Sequence, residues 1–275
     1  MREKEQLAKE FFPTIRFHNK EFYTPTNFID LARKPNGEID FNCENPKENW
    51  RNKAKFDGKT KLFWFSPGVY VHFLENKSIQ IRRVDITVSL VIQYWFYFAF
   101  NAFYWGGLEV PLLEHIHDWE WLQLALSKTN QDKYHLISYS ISAHGTSVEI
   151  TNKLRKEFYR QEGFHCNRGS HNFASIFQLP NQNEKKDIII SPDTLIPISE
   201  NKRVHFKETL IFLDDFTEDY LAQFSFFPLL AAWERDLYNA ACWTPKYWSW
   251  SVLSRFFQLS RGFGNLYQRA TRRKI

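Results

Sequence analysis

The densest group of side chains able to do chemistry lies between Glu114 and Glu120, in the sequence Glu-His-Ile-His-Asp-Trp-Glu. Imidazole and carboxylate groups bind hard or borderline divalent cations, and both can also exchange protons. Alternate residues of a β-strand share a face, so Asp118 and Glu120 are expected to point to the same side, followed there by Leu122, Leu124 and Leu126. Two carboxylates at the mouth of an apolar face repel each other unless a cation, an arginine or a shared proton neutralises them.

Three histidines are expected to lie near these two carboxylates. His115 is expected to precede the regular strand, predicted over residues 119–127, and to turn back onto the face of Asp118. The next predicted strand, residues 134–143, runs into Ser142-Ala-His144-Gly, and a hairpin centred near Gln131 would place His144 opposite Asp118. His171 ends the sequence Arg-Gly-Ser-His on a turn that contains glycine.

The predicted metal site therefore combines imidazole and carboxylate ligands, a set that suits Mg²⁺, Mn²⁺, Ca²⁺ or Zn²⁺. Its candidate ligands are His115, Asp118, Glu120, His144 and His171. A hydrogen-bonded Asp–His pair at a strand end would explain two of these residues without any metal. For the neighbours His165 and Cys166, a buried pair is the favoured interpretation. The sequence contains no nucleophile elbow, P-loop or dinucleotide-binding glycine motif, which disfavours three common enzyme classes.

Composition limits the class of protein. The 275 residues include 27 Phe, 12 Tyr and 10 Trp but only 10 Gly and 11 Pro, so the chain can bury a large core and is not disordered. The net charge of +5 is too small to indicate nucleic-acid binding, and the aromatic residues stand in apolar runs, so no nucleic-acid partner is predicted. The three cysteines form no Cys-x-x-Cys motif. No apolar segment follows the charged N-terminus, and we expect a cytoplasmic or peripheral membrane protein without a signal peptide.

The distribution of apolar residues predicts a mainly β protein, an antiparallel β-sandwich with helical decorations that are mostly C-terminal. We expect a core domain over residues 1–215, with a loop-rich insertion near residues 34–58, and a helical, aromatic and basic extension over residues 216–275. A short helix over residues 1–12 is expected to end at Pro13. The uncharged stretch over residues 86–108 is long enough to span a bilayer, but its β-branched and aromatic composition favours buried strands.

The motif His115-x-His-Asp-Trp-Glu120, followed by Ser142-Ala-His-Gly, resembles the Gly-His-Arg-His-Asp-Trp-Glu heptapeptide and downstream Ala-His-Gly of the necrosis- and ethylene-inducing-peptide-like proteins (NLPs). It is equally similar to the His-x-x-Asp-Trp-Glu pattern of the vacuolar-protein-sorting-62-like family. Further segments resemble the second family more closely. These are Phe11-Phe-Pro-Thr-Ile-Arg-Phe-His, Tyr23-Thr-Pro-Thr-Asn-Phe, Gln93-Tyr-Trp-Phe-Tyr-Phe-Ala-Phe-Asn and Arg168-Gly-Ser-His.

The resemblance implies a β-sandwich like that of the NLPs, in which the first His, the Asp and the Glu of the motif help hold a divalent cation needed for membrane damage. The matching residues here are His115, Asp118 and Glu120. Two positions depart from the NLP pattern: Glu114 replaces the glycine that opens the heptapeptide, and Gly107 lies near the position of a further upstream Asp ligand.

The sequence is compatible with three functions. The first is a cation-dependent protein that binds a lipid or glycan surface at membranes, helped by a basic, aromatic C-terminal stretch that mixes Phe and Tyr with Arg. The second is a metal-dependent hydrolase acting on a small-molecule substrate, with His144 or His171 as general base. The third is a scaffold protein in which the His and carboxylate cluster ties two strands together without any catalysis.

Overall fold

The computed structural model describes the greater part of the first half of the chain and shorter pieces of the second half. The described residues are 2–13, 15–17, 25–34, 36–43, 55–57, 62–64, 68–81, 84–104, 111–143, 146–154, 156–157, 163–166, 171, 173–174, 188–190 and 210–224.

Most of the described chain is β-strand, which agrees with the abundance of β-branched and aromatic residues. The strands are β1 (Ile15–Phe17), β2 (Lys55–Asp57), β3 (Leu62–Trp64), β4 (Val69–Ile81), β5 (Val84–Tyr104), β6 (Pro111–Lys128), β7 (Tyr134–Ala143), β8 (Thr146–Ile150), β9 (Phe164–Cys166), β10 (Phe173–Ala174), β11 (Ile188–Ile190) and β12 (Leu210–Phe212). The helices are α1 (Arg2–Phe11), α2 (Phe28–Ala32) and α3 (Glu218–Ala222), with a 3-10 turn at Leu213–Asp215. The predicted mainly β class is confirmed.

Two sheets carry the site described below. The larger has six strands in the order β12-β4-β5-β6-β7-β8, and all its neighbours are antiparallel except the pair β12 and β4. The smaller has four strands in the order β10-β9-β1-β11, in which β1 and β9 run parallel. A separate two-stranded ribbon joins β2 to β3.

One face of the six-stranded sheet, here called the inner face, packs against α1 and residues of the four-stranded sheet. A single buried cluster unites them. It includes Leu7, Phe12, Ile15, Val71, Tyr94, Phe96, Phe98, Leu122, Leu124, Tyr139, Ile150, Phe164 and Cys166. Burial of apolar side chains from both sheets in one cluster is the arrangement of a β-sandwich.

The opposite face, here called the aromatic face, is covered by α2, the 3-10 turn and α3. Its buried cluster includes Phe28, Tyr70, Trp95, Tyr97, Trp119, Trp121, Leu213, Leu221 and Phe224. Both faces of the central strands are therefore buried, which explains the continuous apolar run of β5. Trp119 and Trp121 fill the face opposite the carboxylates, as their alternation with Asp118 and Glu120 predicts.

The first two helices are fixed to the sheet by hydrogen bonds of tyrosine hydroxyls. Helix α1 ends two residues before Pro13, and the Tyr94 hydroxyl donates to the Ala8 carbonyl at 2.8 Å. Helix α2 begins after Asn27, whose side-chain oxygen accepts from the backbone N–H groups of Ile29 and Asp30. The Tyr70 hydroxyl donates to the same oxygen at 2.7 Å.

Several strand limits differ from those predicted. Residues 69–81 form one strand instead of two, because β4 stays paired with β5 through its exposed polar stretch, residues 75–78. Strand β6 begins at Pro111 instead of Trp119, because pairing with the long β5 extends it. Lys55–Asp57 lies within the predicted loop-rich insertion but forms β2. The predicted C-terminal extension beyond Phe224 lies outside the described residues.

The uncharged stretch of residues 86–108 falls mainly in β5, as its composition predicts. Among the residues that the structure describes, no helix combines the length and apolar character needed to cross a bilayer.

Gly68 provides a test of this packing. A Cβ atom at this position would lie 2.8 Å from the Asn27 backbone nitrogen and 2.9 Å from Ile211 Cδ1, so the substitution Gly68→Ala overpacks the junction of α2, β4 and β12. We expect the free energy of unfolding to fall by about 1–3 kcal/mol in urea titrations. Ser78→Ala, at an exposed position of β4, is the control and should change it by less than about 0.5 kcal/mol. Equal stability of both variants would contradict the described junction.

Candidate functional site

Asp118 and Glu120 lie on the inner face of β6, the side predicted from their spacing. Ladder pairing places Asp118 opposite Phe98 and Glu120 opposite Phe96, and both phenylalanines belong to the inner cluster. The carboxylates are 6% and 7% exposed, so both are buried in the sandwich. Charged side chains are almost never buried to this extent without a partner, so each of the two carboxylates requires a neighbouring group that offsets its charge.

His171 supplies a partner for one of the two carboxylates. This residue lies between β9 and β10, is fully buried, and its Nδ1 atom is 2.9 Å from Asp118 Oδ2. Its ring lies flat on Phe98, with centroids 3.9 Å apart and planes within 1° of parallel. A carboxylate oxygen accepts only, so the hydrogen bond requires a proton on Nδ1. A cation bound directly by His171 would therefore have to use Nε2.

The backbone of His171 is held separately from its ring. The Cys166 thiol at the end of β9 donates to the His171 carbonyl oxygen, with 2.9 Å between Sγ and O. His171 has a φ of +50°, in the left-handed region that residues other than glycine seldom occupy. The predicted burial of Cys166 is confirmed at 1% exposure, while the side chain of its neighbour His165 lies outside the described part.

Glu120 is the less well compensated of the two carboxylates. Burial raises the pKa of Glu120 well above its ordinary value, and the nearby charge of Asp118 raises it further. A hydrogen bond from Ser142 and the charge of His171 act in the opposite direction but are the smaller effects on this pKa. Among the described residues, the groups that act on Glu120 include no lysine or arginine.

Ser142 connects this carboxylate to the neighbouring strand β7. Its hydroxyl accepts from the Trp121 backbone N–H at 3.0 Å and lies 3.2 Å from the Trp121 carbonyl oxygen. Since a hydroxyl has one proton, donation to Glu120 competes with donation to that carbonyl. Ser142 is the first residue of the Ser142-Ala-His-Gly motif, but the sequence pattern predicted no role for it. Its position in a strand predicted to pair with the motif strand is the signal that could have identified its contact with Glu120.

The second histidine of the motif, His117, points to the aromatic face, away from the carboxylates. Tyr97 and His117 are joined by a hydrogen bond of 2.7 Å to Nδ1, and His117 Nε2 is 3.1 Å from the Cys43 carbonyl oxygen. Because a carbonyl only accepts, Nε2 carries the proton and Nδ1 accepts from the Tyr97 hydroxyl. His117 thus links β6 to the segment ending at Cys43 and does not contribute to the predicted metal site.

Two of the five predicted ligands cannot be placed with the others. His115 lies inside β6, paired with Asn101, so the expectation that it precedes the strand is wrong; its side chain lies outside the described part. His144 lies outside the described residues altogether. Its predicted position opposite Asp118 assumed an unbroken register, but the β6–β7 pairing shifts by one residue between Ala125 and Leu126. That position remains a prediction.

The described side chains contain no group of three or more His, Cys, Asp or Glu residues arranged to hold a metal ion. The structure does bring together three members of the predicted set, Asp118, Glu120 and His171, through one hydrogen bond and the two charge interactions of Glu120 with the others. Carboxylate oxygens are ligands of the kind that divalent cations prefer, and either a proton or a cation would relieve the repulsion between the two charges.

No family model matches the chain, and no curated protein matches its sequence. Solved structures give similarities at low identity. One is described as a toxin fold for microbial attack and plant defense, with 12% identity, a TM-score of 0.40 and coverage of 79% of this chain and 77% of that one. The non-toxic HaNLP3 protein has 13% identity and a TM-score of 0.38, covering 78% and 75%. NLPPya in complex with glucosamine has 15% identity and a TM-score of 0.39, covering 78% of both chains.

These neighbours include NLPs, one of the two families that the motif resembles. At such identities and TM-scores they establish neither membership of a family nor a shared activity for this chain. The resemblance to the vacuolar-protein-sorting-62-like family stays a prediction from the motifs. What the structure itself defines is a β-sandwich with a buried carboxylate pair between its sheets.

The raised pKa of Glu120 predicts a pH-dependent cost to stability. A folded-state pKa above the ordinary 4.5 means that the folded protein holds the proton more tightly, so stability falls as the pH rises above 4.5. In EDTA, we expect Glu120→Gln to unfold at a higher temperature than the wild type at neutral pH, with the difference shrinking towards pH 4.5. The exposed Glu10→Gln is the control for loss of a carboxylate. A pH-independent difference between Glu120→Gln and the wild type would contradict the described environment.

Proposed function

We propose that this protein binds a divalent cation at the buried carboxylate pair and uses the cation-bound form to bind a lipid headgroup or glycan at a membrane surface. The observation that carries the proposal is the burial of Asp118 and Glu120 side by side on the inner face of β6. The site would be formed by Asp118 and Glu120, with His115, His144 and His171 as further candidate ligands.

The donor set fits a divalent cation. Asp118 and Glu120 place two carboxylates on one face of β6, and the Asp118 carboxylate accepts a hydrogen bond from His171 through Oδ2. An imidazole that donates to a metal-binding carboxylate fixes the orientation of that carboxylate. A cation there would also stabilise the charged form of Glu120, which burial and Asp118 now disfavour.

A structural clamp is the second candidate, and one observation favours it. The hydrogen bond between His171 and Asp118 joins the segment between β9 and β10 to β6, and thus connects parts of the chain that belong to different sheets. Such a pair needs no cation if Glu120 retains its proton. The two candidates differ in a measurable way, because only the first makes stability depend on cation concentration.

The surface-binding part of the proposal is supported by the C-terminal sequence. Between Arg255 and Lys274 the chain has basic residues but no acidic one, interspersed with Phe256, Phe257, Phe263 and Tyr267. Arginine favours anionic phosphates, and aromatic rings favour the boundary between headgroups and acyl chains. A helix that packs these rings on the protein core, with arginine in solvent, would have the same composition.

Cation binding should appear as stabilisation. After EDTA treatment and dialysis, we expect one of Mg²⁺, Mn²⁺, Ca²⁺ or Zn²⁺ to raise the melting temperature of the wild type in a saturable manner. A cation at a hundred times its Kd adds about 2.7 kcal/mol, which for a chain of this size is a shift of several degrees. Asp118→Asn and Glu120→Gln should abolish the shift.

The exposed Glu10→Gln should retain the full shift, which controls for general effects of charge. The absence of a shift with all four cations in the wild type would exclude the cation site and leave the structural clamp. A shift of equal size in the wild type and in both site variants would assign the cation to another part of the protein.

Surface binding should depend on the C-terminal arginines. In co-sedimentation with vesicles, we expect the wild type to bind phosphatidylserine-containing membranes more than pure phosphatidylcholine, and the triple variant Arg269→Glu, Arg272→Glu, Arg273→Glu to lose that preference. The matched control makes the same charge change at exposed positions, as Lys128→Glu, Lys133→Glu, Lys153→Glu. Equal loss in both variants, or no binding by the wild type, would contradict a membrane surface contacted by this segment.

Binding of a glycan can be tested with the same wild-type and variant proteins. Glucosamine and mannosamine, which occur in the NLPPya complexes, serve as probes in calorimetric titrations with and without the stabilising cation. Heat that requires both the cation and Asp118 would favour a sugar ligand at or near the carboxylate pair. Heat unchanged by EDTA would separate sugar binding from this site.

A further inference from the structure

Three buried residues from different elements meet at His171, and each restrains a different part of it. The Cys166 thiol at the end of β9 hydrogen-bonds the His171 carbonyl oxygen, at 2.9 Å. Phe98 of β5 lies flat against the imidazole, with centroids 3.9 Å apart. Asp118 of β6 accepts from Nδ1, also at 2.9 Å.

The restraint on the backbone matters because His171 adopts a conformation with a φ of +50°. A residue with a Cβ atom is disfavoured there and remains only when its surroundings determine the conformation. Ladder pairing fixes Cys166 on both sides: it is the register partner of Phe17 in β1 and of Phe173 in β10. The thiol therefore ties His171 to the middle of the four-stranded sheet.

The restraint on the ring comes from the other sheet. Phe98 is fully buried and is the register partner of Asp118, so the ring and the carboxylate that His171 contacts are neighbours across the β5–β6 ladder. Rotation of the imidazole about its Cβ–Cγ bond would take the ring out of the parallel stack on Phe98, so this stack helps keep Nδ1 at the carboxylate. Backbone and side chain of His171 are thus held by opposite sheets.

We propose that Cys166 and Phe98 are positioning residues, which act through His171 to fix the orientation of the Asp118 carboxylate in the proposed cation site. Neither residue touches the cation. The thiol holds the left-handed backbone, the phenyl ring holds the imidazole plane, and the imidazole Nδ1–H then selects Oδ2 of Asp118. The structure contains these positioning contacts, while their effect on cation affinity rests on the proposed function.

The direct test observes the proton between His171 and Asp118 in the EDTA-treated full-length protein. With ¹⁵N-histidine labelling, we expect the wild type to show a slowly exchanging His171 Nδ1–H signal at constant pH. Cys166→Ala removes the donor to the His171 carbonyl and should speed the exchange of this proton about tenfold. Cys166→Ser restores a donor of similar size and should return exchange close to the wild-type rate.

Two further variants make the result specific. Cys43→Ala shortens the other described buried cysteine, which belongs to the aromatic-face cluster, and should leave the His171 signal unchanged. Phe98→Leu keeps an apolar side chain but removes the stacked ring, and should speed exchange even if Cys166→Ala does not fold. Wild-type exchange rates in Cys166→Ala and Phe98→Leu, or failure of serine to rescue, would overturn the proposal.

Cation affinity separates this inference from the proposed function. If a cation binds, Cys166→Ala should weaken the cation affinity about tenfold and Cys166→Ser should restore the affinity, because groups that orient a metal ligand have effects of that size. If no cation binds but the exchange rates follow the expected order, the proposed function fails while the positioning role is upheld. Unchanged cation affinity in Cys166→Ala would refute the effect on the site.

Discussion

Asp118 and Glu120 are held on the buried face of β6 by the ladder that pairs this strand with β5, and the neighbouring structure compensates only part of their charge. The same ladder places Phe96 and Phe98 opposite them, so the carboxylates have aromatic neighbours where water would otherwise solvate them. Desolvation disfavours both charges, and proximity disfavours having both at once. His171, Ser142 and the thiol of Cys166 are arranged around this unfavourable pair.

Because successive side chains of β6 point to opposite faces of the sheet, this one strand contributes to both the inner face and the aromatic face. Even-numbered positions carry the carboxylates and the leucines of the inner face, while odd-numbered positions carry Trp119 and Trp121 into the aromatic face. His117 follows the odd-numbered side and pairs with Tyr97, so two adjacent members of one motif have unrelated roles. The aromatic excess of the composition therefore has a structural explanation on both faces of β5 and β6. The rings beyond Phe224 have no such assignment.

Sequence periodicity was sufficient where a side chain's direction depends only on its own strand. It predicted the shared face of Asp118 and Glu120, the opposite face of Trp119 and Trp121, and the β class of the chain. It was insufficient where the limits of a strand depend on the strand paired with it. Pairing with β5 extends β4 through polar residues and extends β6 back to Pro111. The one-residue shift in the β6–β7 register is likewise invisible to a pattern of alternation. The contact between His171 and Asp118, separated by 53 positions, depends on how the two sheets pack.

The two carboxylates are not equivalent, and this asymmetry bears on how their charge is neutralised. Asp118 has a buried imidazole that donates to it, whereas Glu120 has a hydroxyl whose single proton a backbone carbonyl also attracts. A proton on Glu120 would neutralise one of the two charges, but it would not require the Asp118 carboxylate to have a fixed orientation. In the proposed function, a cation bound by both carboxylates would stabilise the charged form of Glu120, which burial disfavours, while His171 would hold the Asp118 carboxylate in place. The contacts of Cys166 and Phe98 with His171 would orient a ligand in the proposed cation site, whereas a structural clamp requires only that the hydrogen bond between His171 and Asp118 exists.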